Sequence, residues 1–211
     1  MIEITEPMLD GLRESVLSRL SAKRFRHTVA VEQMVVRLCE LYCPDQTARL
    51  RAAALLHDLT KELTPAEQES LCASLGLPVS PQDRLAPKTF HARTAAALIP
   101  EEFPEFADHV IVSAVRWHTT GRRVRTLTEK LLYLADYIHE SRSFENCVLL
   151  RRYFWGAGPQ ELTPERRQAL LRDTLILSYD MTIRDLLAEH APVAEETIEA
   201  RNELLLEAAQ A

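Results

Sequence analysis

The chain has 211 residues, 46% hydrophobic and 27% charged, and its 25 basic against 31 acidic side chains leave a formal net charge of −6. That length buries a core without disulfides or a structural metal, and the acidic balance excludes a general binder of long nucleic acids, which must neutralise many phosphates. Five glycines and 6% aromatics disfavour sandwiches and barrels, so the composition points to an all-α fold.

The opening MIEITEPMLD carries neither a basic nor an apolar leader signature. No stretch approaches the roughly 18 apolar residues of a membrane span, so a cytoplasmic protein is expected. Met8, Leu9, Leu12, Val16 and Leu20 share one face and predict a helix over 8–20. Val31, Val35, Leu38 and Tyr42 predict another over 25–42, ended by Pro44. Asp45 is the expected N-cap of a helix running through 51–58. Thr64 and Glu67, with Pro65 between them, have capping-box spacing, and Gly76 supplies the stop. Pro78, Pro81 and Pro87 make 77–88 an expected loop. Helices are then expected at 90–99, 105–117, 127–140, 145–155, 164–189 and 193–208. Thr126 and Glu129 form a second capping box, and Thr163–Pro164 opens a helix whose Leu170, Thr174, Leu177 and Met181 line one face. Cys39, Cys43, Cys72 and Cys147 are scattered among apolar neighbours and read as reduced core residues. One all-α domain is expected over 1–211, with the last fifty or so residues as a helical appendage.

Candidate chemistry lies where histidines and aspartates interrupt apolar faces. His57 and Asp58 end the run Ala52-Ala53-Ala54-Leu55-Leu56, and Asp136 sits inside Leu131-Leu132-Tyr133-Leu134-Ala135-Asp136-Tyr137-Ile138. Ionisable groups at buried positions cost several kcal/mol unless something binds them. His27 lies on a third helix. Two imidazoles and two carboxylates form a mixed donor set suited to iron, manganese or zinc rather than calcium. His91 and His118, at helix ends, add two more imidazoles. His109, His139 and His190 have no organised neighbours in sequence and read as ordinary core or surface residues.

His27, His57-Asp58 and Asp136 resemble the H…HD…D signature of the HD-domain metal-dependent phosphohydrolases. The stretches Leu55 to Glu62, Val115 to Arg122 and Leu134 to Ile138 followed by Arg142 resemble more narrowly the symmetrical bis(5'-nucleosyl)-tetraphosphatases of YqeK type. The similarity runs from about Arg24 to Arg152. It implies an HD helical bundle (core about 18–142) with C-terminal helices over about 143–211. It implies hydrolysis of diadenosine tetraphosphate to two ADP by a metal-activated water, with iron as the cofactor in one or two copies. His27, His57, Asp58 and Asp136 match the family's metal ligands. His91 and His118 match histidines that hold a second metal or contact phosphates. The resemblance places nucleotide contacts at Arg24, Asp58, Leu59, Thr60, Lys61, His91, Thr119, Thr120, Tyr137 and Arg142. This chain departs from the pattern at Ala92-Arg93, where Gly-Lys is usual, and at His139-Glu140, where Glu-Pro is usual.

The residue chemistry agrees with that implication. A divalent ion lowers the pKa of a bound water and draws charge from a phosphoryl oxygen. Asp58, the carboxylate beside a ligand histidine, is suited to bridge two ions or steer the water. Lys61 and Arg142 would clamp phosphates, with Arg93, Arg122, Arg123 and Arg125 extending the clamp. The partner expected is one small dinucleoside polyphosphate, with neither membrane nor long nucleic acid, and a homodimer is a further option. Competing readings are an HD phosphohydrolase for a nucleoside mono- or triphosphate, and a helical nucleotide-sensing module without turnover.

Overall fold

A computed structural model describes residues 3–210. Among them the regular structure is helical, and no helix is long and apolar enough to cross a membrane. The helices are α1 (Glu6–Leu17), α2 (Ala22–Tyr42), α3 (Thr47–Leu56), α4 (Pro65–Ser74), α5 (Pro81–Leu85), α6 (Phe90–Glu102), α7 (His109–Trp117), α8 (Leu127–Ile138), α9 (Glu145–Gly156), α10 (Pro164–Ala188) and α11 (Glu195–Ala209).

The bundle is organised around α3. Leu50, Ala52, Ala53, Ala54, Leu55 and Leu56 are all fully buried, and three successive alanines let α2, α7 and α8 close on the helix from different sides. A stretch apolar on every side, as α3 is from Ala52 to Leu56, belongs in the centre of a fold, and the C-terminal end of the helix therefore opens into the interior, where His57 and Asp58 lie. Helix α2 starts at the Ser21 hydroxyl, which accepts from the Arg24 amide, and packs along α3 and α8. Both expected capping boxes form, Thr64 with Glu67 on α4 and Thr126 with Glu129 on α8. Gly76 takes the left-handed φ of +65° that ends α4's final turn. All four cysteines are free and buried.

Several expected boundaries move, for local reasons. Asp45 is not the cap of α3: Pro44–Gln46 form a single 3-10 turn, and Gln46 takes the cap position without a side-chain bond. The expected loop over 77–88 contains α5, because Ser80 and Asp83 make a third capping box around Pro81. The expected helix over 105–117 splits. Pro104–Phe106 form a 3-10 turn, and Asp108, whose carboxylate accepts from the Val110 amide at 2.8 Å, starts α7 afresh. Helix α6 continues through Pro100 to Glu102.

The C-terminal helices complete the bundle. Leu150 and Phe154 of α9, Leu170, Leu171, Leu175 and Tyr179 of α10, and Ala200 and Leu204 of α11 belong to the same buried cluster as α1–α3 and α6–α8. Leu170 and Thr174 are buried as the face predicted, while Leu177 and Met181 pack on the core half-buried. Helix α10 is tied to the end of α2 twice. The Tyr42 hydroxyl donates to the Arg167 carbonyl (2.9 Å), and the Arg167 guanidinium donates to the Leu41 carbonyl (2.6 Å).

Candidate metal centre and its cleft

His57 follows the last residue of α3 and is fully buried. Its Nδ1 donates to the Ala54 carbonyl at 2.6 Å, one of the carbonyls a helix leaves unsatisfied at its end. That bond fixes the ring with Nε2 towards Asp58. His118 repeats the arrangement after α7, with Nδ1 on the Val115 carbonyl at 2.7 Å. Two helix C-termini thus present two imidazoles in one tautomer, with the Nε2 lone pairs turned into the interior.

Asp58, 2% exposed, is the centre of the arrangement. Its Oδ2 lies 3.4 Å from His27 Nε2 and 3.4 Å from His57 Nε2, and accepts from Arg24 Nη1 at 2.8 Å. Its Oδ1 lies 3.4 Å from His91 Nε2 and 3.9 Å from His118 Nε2. Asp136 comes in from the last turn of α8, its Oδ1 3.1 Å from His27 Nε2 and 2.6 Å from Arg142 Nη2. His91 Nε2 and His118 Nε2 are 3.0 Å apart, with Thr119 Oγ1 within 3.2 Å of both and Lys61 Nζ 3.2 Å from His91 Nε2.

Charge is distributed to match. Burial works against ionising Asp58, but the facing imidazoles of His57 and His27 outweigh it and hold the carboxyl well below its usual range. Burial likewise opposes ionisation of Asp136, and Arg142 and His27 overcome it. His91 is pushed well down by burial and by Lys61, and His118 falls to about 4 through burial and the neighbouring His57. Burial also lowers Lys61, against the pull of Asp58. For His27 burial disfavours the proton, but Asp136 and Asp58 win and raise its pKa.

The donor set fits a divalent ion. Nε2 of His27 and Nε2 of His57 are buried without a hydrogen-bond partner. The ligand atoms of His27, His57 and Asp136 lie within 4.8 Å of one another, as do those of His57, Asp58 and His118. Such spacing lets one ion replace the orphaned contacts with short bonds.

The centre opens into a cleft of about 610 Å³ lined by Lys61, His118, Thr119, Asp136, Tyr137 and Arg142. Its far wall is α10, through Ser178, Met181, Thr182 and Asp185, and Phe144 stands 69% exposed at its rim. The Tyr137 hydroxyl and Thr182 Oγ1 are 2.8 Å apart, joining the two walls. A second hollow of about 180 Å³ shares Lys61 and Lys88 with the cleft and reaches His91.

Not every expected contact residue faces the cleft. Arg24, Asp58, Lys61, His91, Thr119, Tyr137 and Arg142 do converge on the centre or its walls. Leu59 instead packs half-buried on the core. The Thr60 hydroxyl donates to the His91 carbonyl at 3.1 Å, so Thr60 braces His91 from behind. Thr120 is buried with its hydroxyl on the Gly121 carbonyl, and lines a separate cavity with Arg93 and Arg116. The extended arginine clamp does not form. Arg93 pairs with Asp83 and the Pro78 carbonyl, Arg122 with Glu129, Arg123 with Glu203, and Arg125 donates to the Tyr179 hydroxyl. His139, read from sequence as an ordinary residue, is 1% exposed and packs its ring against His27 at 4.7 Å. Its place three residues after Asp136 was the available signal. The cleft wall on α10 had none, since its polar residues follow no spacing tied to the ligands.

The HD domain family matches residues 24–141. A symmetrical bis(5'-nucleosyl)-tetraphosphatase of Halalkalibacterium halodurans is 31% identical over 91% of this chain and 94% of its own length. Its counterpart in Bacillus subtilis is 30% identical over 90% and 94%, and the one in Staphylococcus aureus 30% identical over 69% and 73%. The crystal structure of a Clostridium acetobutylicum protein, described as a "predicted HD superfamily hydrolase involved in NAD metabolism", superposes with a TM-score of 0.80 at 28% identity, covering 94% of this chain and 97% of that one.

Proposed function

This chain belongs to the HD-domain family and, within it, to the symmetrical bis(5'-nucleosyl)-tetraphosphatases, and from that membership we propose that it hydrolyses dinucleoside tetraphosphates, diadenosine tetraphosphate foremost, into two nucleoside diphosphates. In this reaction the oxygen of water forms a bond to one inner phosphorus. The bond from that phosphorus to the central bridging oxygen breaks, and the departing diphosphate takes up a proton.

His27, His57, Asp58 and Asp136 are the proposed ligands of a divalent ion, with Asp58 Oδ1, His91 and His118 facing the place of a second. When bound, such an ion supplies a lowered water pKa and charge neutralisation at the attacked phosphoryl group. Mixed imidazole and carboxylate donors suit iron, manganese or zinc, and iron is the proposed resident.

The chain's own residues bind and orient around this centre. Arg24 holds Asp58 in place through its 2.8 Å bond. Lys61, pointing at the His91 nitrogens, offers a compact positive charge to the polyphosphate. Arg142 is held on Asp136 by two bonds, one to the carboxylate and one to the backbone carbonyl, and its remaining donors face the cleft as a fork for phosphate. Thr119 presents a hydroxyl between the two histidines, and Tyr137 with α10 walls the nucleoside side.

The observation that carries this reading is that both oxygens of one buried carboxylate, Asp58, are each faced by two imidazoles. Asp58→Ala is expected to abolish hydrolysis and metal retention together. A variant that keeps wild-type turnover would sink the assignment. Chromatography of the products separates this activity from hydrolysis of another nucleotide, since only central cleavage yields two diphosphates.

A further inference from the structure

Metal-ligating histidines nearly always donate their second ring nitrogen to a fixed acceptor, which sets the tautomer and the ring angle. His57 and His118 do so through the Ala54 and Val115 carbonyls. His27 does not: its Nε2 faces Asp58 and Asp136, while its Nδ1 makes no hydrogen bond among the described residues. What stands beside it is His139, ring centroids 4.7 Å apart and planes at 72°.

His139 is the first residue after α8. Its extended backbone, at φ −64° and ψ 156°, turns the chain out of the helix, and its amide donates to the Ala135 carbonyl. The residue is anchored on both sides, by Ser141 Oγ 3.0 Å from its Nδ1 and by Arg151 Nη1 donating to its carbonyl at 2.7 Å. Its Nε2 is buried and has no partner. A buried ring nitrogen left unsatisfied is destabilising, a cost that a phenylalanine in the same place would not carry.

We propose that His139 is a positioning residue for the metal centre, its Nε2 accepting from His27 Nδ1 when the ion is bound and so locking His27 as an Nε2 ligand. The inference rests on the metal-dependent reading above. The bond needs His27 to carry its proton on Nδ1 and His139 to carry its own on Nδ1, where Ser141 Oγ, 3.0 Å away, can accept it and leave Nε2 as the acceptor.

The test compares His139→Phe, which keeps a ring and removes the acceptor, with His139→Gln, which keeps an acceptor on a different shape. Metal affinity is measured by chelator competition with iron, and bound metal is counted by elemental mass spectrometry. His139→Phe is expected to weaken metal affinity about 10- to 100-fold while the metal-free protein melts no lower than wild type. His139→Gln is expected to recover most of the affinity. Wild-type affinity in His139→Phe would overturn the proposal and leave His139 as packing alone. Equal losses in both variants would overturn it too, since an acceptor would then make no difference. A wild-type protein that binds no metal would instead defeat the metal-dependent reading itself.

Discussion

At the scale of single residues, a few positions are dictated by geometry that no substitution can reproduce. Gly121 turns the chain after the His118-Thr119-Thr120 segment at φ +69°. A Cβ there would overlap the Tyr179 hydroxyl and crowd Arg125 Nη1. The left-handed conformation costs an L-residue about 1–2 kcal/mol, and the overlap adds a further 1–3 kcal/mol or so of overpacking. Gly121→Ala should therefore lower stability by about 2–5 kcal/mol in urea unfolding. Adding Tyr179→Phe removes the hydroxyl that the methyl meets, so the double variant should be more stable than the sum of the single effects by about 1 kcal/mol. Strict additivity would show that the backbone angle and the Ala200 methyl, 3.0 Å from the new Cβ, carry the cost without the hydroxyl. Arg125 complicates the site, because the same hydroxyl accepts its guanidinium at 2.6 Å, and Tyr179→Phe by itself should be mildly destabilising.

At the scale of elements, apolar periodicity and capping were enough to place most helices. The runs around Val31 and Val35, the Thr64 and Thr126 boxes and the Thr163–Pro164 start all became the helices they foretold. The His/Asp cluster proposed as the metal centre stood out in sequence for a related reason, since His57, Asp58 and Asp136 are polar residues in places where the pattern demanded apolar ones. What could not be read was which polar side chains are consumed by the fold. Arg122 and Arg125 look like phosphate ligands in sequence, yet their partners, Glu129 and Tyr179, are 7 and 54 positions away. Glu32 makes the same point within α2. Buried at 3% exposure, it accepts from Arg13 of α1 and Arg51 of α3, and Arg51 also reaches Glu6. It thus ties three helices whose order in sequence shows no such link. Glu32→Ala leaves two guanidinium groups that keep other acidic partners, Asp10 and Glu6. The expected loss is accordingly about 2 kcal/mol, read as a lower urea midpoint at unchanged slope; a change below about 0.5 kcal/mol would mean that Asp10 and Glu6 compensate fully.

At the scale of the whole molecule, the net charge of −6 and a polyanionic substrate are compatible because the cations at the centre and its cleft are few and local: Arg24 on Asp58, Arg142 on Asp136, and Lys61 and Lys88 on the cleft wall. Concentrating ionisable groups in one interior also makes folding depend on pH. His91, His118 and His139 have folded pKa values below the ordinary histidine value of about 6.5, to about 4 for His118 and about 3 for His139. Between that ordinary value and the folded ones, the unfolded chain binds more protons than the folded chain, so their contribution to stability is full above about pH 6.5 and is lost as pH falls. His27 has the opposite sign: its raised pKa adds stability below about 6.5 and loses it as pH rises through the folded value. Asp58 and Asp136, both depressed, lose their contribution only at lower pH, below the ordinary carboxylate range. Three depressed histidines against one raised leave a net fall, so the chelator-stripped protein should melt at progressively lower temperature from pH 6.5 to pH 4, and more steeply below that. Bound metal adds stability of its own in proportion to its affinity, and protons compete for the same nitrogens. The gap in melting temperature between loaded and stripped protein should therefore narrow over the same interval. A stripped protein whose melting temperature stays flat from pH 7.5 to pH 4 would show that these histidines titrate as they do in water, and that the interior around Asp58 is open to solvent.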